Sequence, residues 1–210
     1  MLIIGICGAS GSGKSTLARE LEKRLNRRCV YLKQDSYYKD HPDMSFELRE
    51  KINYDEPDVF EHDSLRNDLR ALREGKPISA KMYDYTEHRR CDPPRRIEPA
   101  DVVLLEGIHV FYDKEVRDLL DFKIYMQVDA DICLLRRMER DIVERGRSVS
   151  SVAAQYRETV KPMFEQHIRN YVQYADLIVA QGGKNARIVD ILAHYINSGM
   201  IEESTSVTKG

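Results

Sequence analysis

The residues Gly8-Ala9-Ser10-Gly11-Ser12-Gly13-Lys14-Ser15 have the types and spacing of a loop that wraps phosphate. Glycines let the main chain turn its N–H groups inward around phosphate oxygens, and a helix opening here adds the partial positive charge of its N-terminus. In that pattern Lys14 reaches the β- and γ-phosphates, the Ser15 hydroxyl faces Mg²⁺, and Thr16 follows as a further nucleotide contact. Two acids sit where parallel α/β sheets place their ligands. Glu106 ends the apolar run Val102-Val103-Leu104-Leu105 and is a candidate metal ligand, and Asp35 ends Val30-Tyr31-Leu32-Lys33-Gln34. The segment Arg136-Arg137-Met138-Glu139-Arg140-Asp141, continued by Glu144-Arg145-Gly146-Arg147, concentrates arginines on one predicted helix. Elsewhere such a run is usually a solvated face laced with salt bridges. Beside a phosphate site it suits phosphoryl transfer, which needs cations that gather around the migrating group and withdraw to release product.

The elements that must position these groups follow from the apolar pattern. Short apolar runs at 2–7, 29–34, 101–106, 122–127 and 176–180 alternate with helical periodicity at 15–26, 62–74, 113–120, 130–145, 151–168 and 186–197. That alternation predicts an α/β fold, a parallel sheet covered by helices. Gly75 is placed to cap the second helix, and Pro162 should kink the fifth. Residues 77–98, around Pro93-Pro94, break the alternation and read as an inserted β-hairpin. Residues 36–58 form a polar connection too long to be ordinary, a length typical of functional or disordered loops. The segment 198–210 reads as a frayed tail.

The 210 residues fit one domain, expected over 1–197, with 42% hydrophobic residues for its core. Lysine and arginine total 33 against 35 acids, a net charge of −2, which removes the electrostatic basis for general nucleic-acid binding. No apolar run is long enough to span a bilayer. The cysteines Cys7, Cys29, Cys91 and Cys133 have no metal-ligand spacing and read as inert thiols of a reducing compartment. With no basic leader ahead of Leu2, the expected location is the cytoplasm. The Asn-Lys-x-Asp and Asp-x-x-Gly signals of guanine-specific switch proteins are absent, which disfavours a GTPase.

Beyond the phosphate loop, several segments occur together and in order: Gln34-Asp35-Ser36-Tyr37-Tyr38, Asn53-Tyr54-Asp55-Glu56-Pro57-Asp58, Tyr83-Asp84-Tyr85-Thr86-Glu87-His88, the 136–147 arginines, and Val160-Lys161-Pro162-Met163-Phe164. With these the chain, from about residue 2 to 196, resembles the uridine kinase (uridine–cytidine kinase) family of P-loop kinases. The resemblance implies a P-loop NTPase three-layer sandwich with a five-stranded parallel sheet, a substrate-binding hairpin and an arginine-rich lid at 136–150. It implies ATP-dependent phosphorylation of uridine and cytidine at the 5′-hydroxyl, in pyrimidine salvage. Asp35 then matches the general base, and Ser15, Asp35 and Glu106 surround Mg²⁺. Asp55 matches the ribose-diol acceptor, Arg137 the sugar side, Tyr83 and His88 the base-recognition pair with Arg147, and Gln155 a further substrate contact. Arg140 and Arg145 match the lid over the phosphates, and Gly182-Gly183-Lys184-Asn185 passes near the adenine. A homotetramer and feedback by CTP or UTP are also implied.

The residue types suit these roles. A carboxylate accepts from both hydroxyls of a cis-diol, and a flat base with a polar edge suits an aromatic ring with His or Arg donors. Three places depart from the family pattern. His109 occupies an aliphatic position and could alter pocket polarity, Gln127 replaces an acid, and Arg169-Asn170-Tyr171-Val172 stands where Pro-Ser/Thr-Lys is common. The last puts the path near the adenine in doubt and leaves the donor open between ATP and GTP. Two rivals remain: another small-molecule kinase of the phosphoribulokinase or pantothenate kinase kind, and a nucleotide-binding regulatory protein without transfer. The hairpin pair Tyr83 and His88 argues against the first, and the base, metal acid and lid arginines argue against the second.

Overall fold

Leu2–Gly8 (β1) carries no charged side chain and is buried along its whole length, as a strand covered on both faces must be. In the computed structural model, which describes residues 1–201, the chain continues through α1 (Lys14–Arg24), β2 (Cys29–Lys33), a short α2 (Phe46–Arg49) and α3 (His62–Arg73). Four two-residue strands follow, β3 (Ile78–Ser79), β4 (Tyr83–Asp84), β5 (Arg89–Arg90) and β6 (Arg96–Ile97). Then come β7 (Val102–Gly107), α4 (Lys114–Asp118), β8 (Phe122–Gln127), α5 (Ala130–Arg145), α6 (Val149–Gln155), α7 (Lys161–Gln166), β9 (Leu177–Ala180) and α8 (Ala186–Asn197).

The central sheet is parallel, in the order β2-β7-β1-β8-β9. The period of two along its strands sorts the core into layers. Ile3, Cys7, Val103 and Leu105 pack with Leu65, Leu69 and Leu72 of α3 and Val116 of α4. Leu2, Ile4, Ile6, Val102 and Leu104 face the other way, onto Leu17 and Leu21 of α1 and Val189, Leu192 and Ile196 of α8. The register places Glu106 beside Ile6 and beside Lys33, so the phosphate loop after β1 and the turn after β2 open at the same sheet edge.

Strand and helix bounds differ from the sequence reading by a residue or two, except at three places. The 36–58 connection is folded: Gln34–Tyr37 is a 3-10 turn, Tyr38 bridges Phe60, and Tyr38 stacks on Phe60 with ring centroids 4.5 Å apart. Residues 151–168 are not one kinked α-helix. α6 and α7 are joined by a π-helical winding at Tyr156–Val160, and the helix ends at Gln166. The wider winding immediately precedes Pro162, whose missing N–H cannot serve the α-helical ladder. The tail expected from 198 is helical again at 200–201, with Ile201 buried against the α8 side of the core; the rest of that expectation lies outside the described residues. Gly75, at φ 76°, closes α3 as a Schellman cap: Lys76 N–H donates to the Ala71 carbonyl and Gly75 N–H to that of Leu72.

Between 77 and 98 the chain forms two antiparallel ladders, β3 with β6 and β4 with β5. His88, in the turn of the inner one, has φ 47°, a left-handed conformation uncommon outside glycine. Asp84 supports that turn, its Oδ1 accepting from Thr86 N–H at 2.8 Å and from Thr86 Oγ1 at 2.6 Å. Among the described residues no helix is long and apolar enough to cross a membrane.

Candidate active site

The phosphate loop joins β1 to α1, and Gly13 is its pivot. Its φ of 94° is one that side chains rarely adopt, and a Cβ there would come within 2.8 Å of Gly183 N. Gly182 and Gly183 therefore pack directly on the loop, with Lys184 beside them on the rim of the adjoining cavity. Gly8 and Ser12 are buried on the underside of the loop. Lys14 Nζ donates to the loop's own Ala9 carbonyl at 2.8 Å, and burial pulls its pKa below the ordinary lysine range. Ser15 Oγ donates to Glu106 Oε1 at 2.8 Å, and Tyr31 donates to the same oxygen, also at 2.8 Å.

Two cavities open on this edge. One, of 990 Å³, is lined by Gly11, Gly13, Lys14, Ser15, Thr16 and Lys184 on the loop side. The other, of 570 Å³, is lined by Tyr54, Asp55, Tyr83, His88, Arg147 and Gln155. Asp35, Arg140 and Arg145 line both. The sheet edge thus brings the phosphate loop and the hairpin to one carboxylate.

Asp35 has a partner that sequence reasoning missed. Tyr85 donates its hydroxyl to Asp35 Oδ2 at 2.8 Å, and the Arg145 guanidinium lies 4.2 Å from the centre of the Tyr85 ring. Burial, and then the Asp35 charge, raise the Tyr85 pKa, so the phenol keeps its proton and donates. Asp55 is almost enclosed, 6% exposed, and burial raises its pKa against the opposing effect of Arg137. Thr159 donates to its Oδ2 at 2.8 Å, and Arg137 Nη1 stands 3.9 Å from Oδ1. Arg137 also donates to Ser10 Oγ at 2.9 Å and to Gln155 Oε1 at 2.8 Å, and Arg147 donates to the same Gln155 oxygen. On the hairpin side the His88 ring stacks on Tyr54, with centroids 5.2 Å apart and planes 18° from parallel. Burial lowers the His88 pKa, which leaves a neutral ring with one donor and one acceptor nitrogen. Arg49, buried beneath, donates to the Glu87 carbonyl from Nη2 at 3.1 Å and pins the hairpin turn.

Three arginines of α5, and Arg147 just beyond its end, converge on one carboxylate. Asp141 is fully buried, with Arg140 Nη2 at 2.8 Å, Arg145 Nη1 at 3.3 Å, Arg137 Nε at 3.6 Å and Arg147 Nη1 at 3.8 Å. α5 stops at Gly146, φ 65°, which turns Arg147 back so that its N–H donates to the Asp141 carbonyl. The sequence places Asp141 among the arginines but gives no sign that it faces them from the interior. Tyr85 lies inside the 83–88 segment without a residue-type signal, and nothing in the pattern marks Thr159.

Two of the departures meet in the fold. In Arg169-Asn170-Tyr171-Val172, Tyr171 is buried against the ring of His109, with centroids 5.8 Å apart, and none of the four residues lines the cavity beside the phosphate loop. His109 itself lies beneath the 570 Å³ cavity rather than on its wall, 1% exposed. The four cysteines form no disulfide, and burial pushes the thiols of Cys7 and Cys29 up to about 12, as inert thiols require.

Residues 3–187 match the model of the phosphoribulokinase / uridine kinase family. The chain is 46% identical over 199 residues to a uridine kinase of Lactobacillus helveticus, covering 94% of each. It is 48% identical over 196 residues to one of Leuconostoc citreum, covering 92% of this chain and 93% of that one. A uridine kinase of Yersinia pestis is 47% identical over 201 residues, with 93% of this chain and 94% of the relative covered. In fold the chain is similar to a phosphoribulokinase from Rhodobacter spheroides, with TM-score 0.60 at 17% identity over 86% of this chain and 70% of that one. A D-glycerate 3-kinase from Cryptococcus neoformans gives TM-score 0.54 at 17% identity, with 78% of each chain covered.

Proposed function

The chain belongs to the phosphoribulokinase / uridine kinase family, and on that premise we propose that it transfers the γ-phosphoryl of ATP to the 5′-hydroxyl of uridine or cytidine, giving UMP or CMP in pyrimidine salvage. The observation that carries the reading is the meeting of the two cavities at Asp35, Arg140 and Arg145. A donor on the phosphate loop and an acceptor against the hairpin would then face each other across one carboxylate.

Asp35 receives the Tyr85 hydrogen bond on Oδ2, which leaves Oδ1 to accept from the nucleoside 5′-hydroxyl. A carboxylate is a weak base for an alcohol, so its work is to orient the nucleophile and take the proton late. Asp55 accepts from the ribose hydroxyls, Tyr83 and His88 hold the base with Arg147, and Gln155 sets the fork of Arg137 on the sugar side. Lys14, Arg140 and Arg145 neutralise the phosphates, and Lys184 lies at the nucleotide rim. Catalysis of this kind is positioning plus charge stabilisation.

The donor atoms suit Mg²⁺. Ser15, Glu106 and Asp35 offer hard oxygens on the nucleotide-side cavity, and such an ion usually takes one or two carboxylates and completes its shell with phosphate oxygens and water. When bound it would offset charge on the β- and γ-phosphates. On the family resemblance we extend the proposal to GTP as an alternative donor, to a cytoplasmic homotetramer, and to feedback by CTP or UTP; a light-scattering mass checks the assembly.

The test is ADP release from ATP and Mg²⁺ with uridine, cytidine, adenosine, ribulose 5-phosphate and pantothenate in turn. Stimulation by the two pyrimidine nucleosides is expected. Stimulation by ribulose 5-phosphate or pantothenate alone would support the phosphoribulokinase-like rival, and none by any acceptor a regulatory role.

A further inference from the structure

Two departures from the family pattern, His109 and the 169–172 stretch, meet each other in the fold. His109 follows β7 by two residues, and its own N–H donates to Gln34 Oε1 at 2.8 Å, next to Asp35 in the chain. Its Nε2 is 2.7 Å from the main-chain carbonyl of Asp55, and its Nδ1 is 2.8 Å from the Tyr171 hydroxyl. A carbonyl oxygen only accepts, so Nε2 carries the ring hydrogen. Burial keeps the ring neutral, with its pKa pushed down to about 3, so Nδ1 is a lone pair and Tyr171 must donate to it. The order is fixed: Tyr171 O–H to Nδ1, then Nε2–H to the Asp55 carbonyl.

Asp55 needs such support. It stands between α2 and the 3-10 turn Pro57–Val59, outside any regular element. Thr159 and Arg137 aim its carboxylate, but where that carboxylate starts from is set by the main chain. Asn53 Oδ1 accepts the Asp55 N–H at 3.1 Å, and His109 holds the carbonyl end of the residue. An aliphatic side chain at 109 could fill the space but could not donate. Phe60, Tyr112 and His167 enclose the imidazole, with ring centroids 5.9 to 6.1 Å away, so a displaced ring has no easy alternative position.

We propose that His109 and Tyr171 are paired positioning residues that fix the main chain of Asp55 and so set how sharply the site selects nucleosides carrying a ribose cis-diol. The inference rests on Asp55 as the ribose acceptor. It joins two separate sequence departures into one device: Tyr171 orients the imidazole, the imidazole orients Asp55, and neither touches the nucleoside.

Steady-state kinetics on the full chain test this, with uridine and 2′-deoxyuridine as acceptors, for the wild type, His109→Leu, His109→Gln, Tyr171→Phe and the double variant His109→Leu/Tyr171→Phe. The loss of one buried hydrogen bond should raise the uridine KM of His109→Leu roughly fivefold to tenfold, with the KM for ATP within about twofold. The preference in kcat/KM for uridine over 2′-deoxyuridine should narrow severalfold. Gln keeps an N–H donor and should recover most of both. Tyr171 acts through His109, so the double variant should be no worse than His109→Leu. A merely structural role would lower the melting temperature and weaken both nucleosides alike, and that result would overturn the pairing. An unchanged uridine KM and selectivity in both His109→Leu and Tyr171→Phe, or fully additive losses in the double, would also overturn it. If His109→Leu does not fold, Tyr171→Phe, which removes one oxygen, decides: unchanged selectivity overturns the proposal. No uridine turnover by the wild type would instead overturn the parent reading, and this inference with it.

Discussion

Tyr85 changes what Asp35 can do. With Oδ2 occupied by the phenol at 2.8 Å, Oδ1 is left as the acceptor the proposed transfer would use, on a residue that lines both cavities. Replacing Asp35 with Asn removes the proposed proton acceptor while keeping size. We expect kcat to fall by roughly 10²–10⁴ with the KM for ATP little changed, read by steady-state assay beside nucleotide-binding calorimetry. Near-normal turnover would remove Asp35 from the role. Residue types and strand-end positions in the sequence were enough to single out Lys14, Ser15, Asp35 and Glu106, because each sits next to a local pattern. The partners that orient the acids were not legible: Tyr85 is 50 residues from Asp35 and Thr159 is 104 from Asp55, and only the folded chain brings them together.

At the scale of elements, the arginines at and just past the end of α5 would repel one another without Asp141. Its carboxylate, fully buried, lies within 4 Å of the guanidiniums of Arg137, Arg140 and Arg145 on α5 and of Arg147 just past it, so these four face inward as one unit while Arg136 stays exposed. Asp141→Asn keeps the volume and removes the charge. Leaving buried charge uncompensated costs roughly 3 kcal/mol, so the melting temperature should drop. We expect kcat to drop by about tenfold or more as Arg140 and Arg145 lose their placement, with part of it restored by added salt, which screens the remaining like charges. Equal melting temperature and kcat would show that the arginines are held by the helix alone. The bounds of α5 were plain from its periodicity and Gly146, as the sheet was from its apolar runs. The π winding before α7 was not, because a proline signals a broken ladder without saying how the chain will repair it.

For the whole molecule, a net charge of −2 says nothing about where charge sits, and the fold gathers cations at one sheet edge while burying neutral His109 below them. That burial couples the global stability to pH. An unfolded histidine titrates near 6.5 and His109 in the fold near 3. Between these values the unfolded chain binds a proton that the folded chain refuses, so stability rises with pH across this window and is fully present above it. Asp55 works in the opposite sense: its folded pKa is raised, so just above the ordinary carboxylate value the fold holds a proton that the unfolded chain has lost. The two contributions separate in His109→Gln, which keeps the donor to Asp55 but cannot titrate. One proton is worth about 1.4 kcal/mol per pH unit, so between pH 6.5 and 5 the wild type should lose about 2 kcal/mol more than His109→Gln. Urea unfolding of both proteins at pH 7 and pH 5 measures the difference. Parallel losses would mean that His109 takes up its proton in the folded state, which would turn Nδ1 into a donor toward Tyr171 while Nε2–H kept its bond to the Asp55 carbonyl.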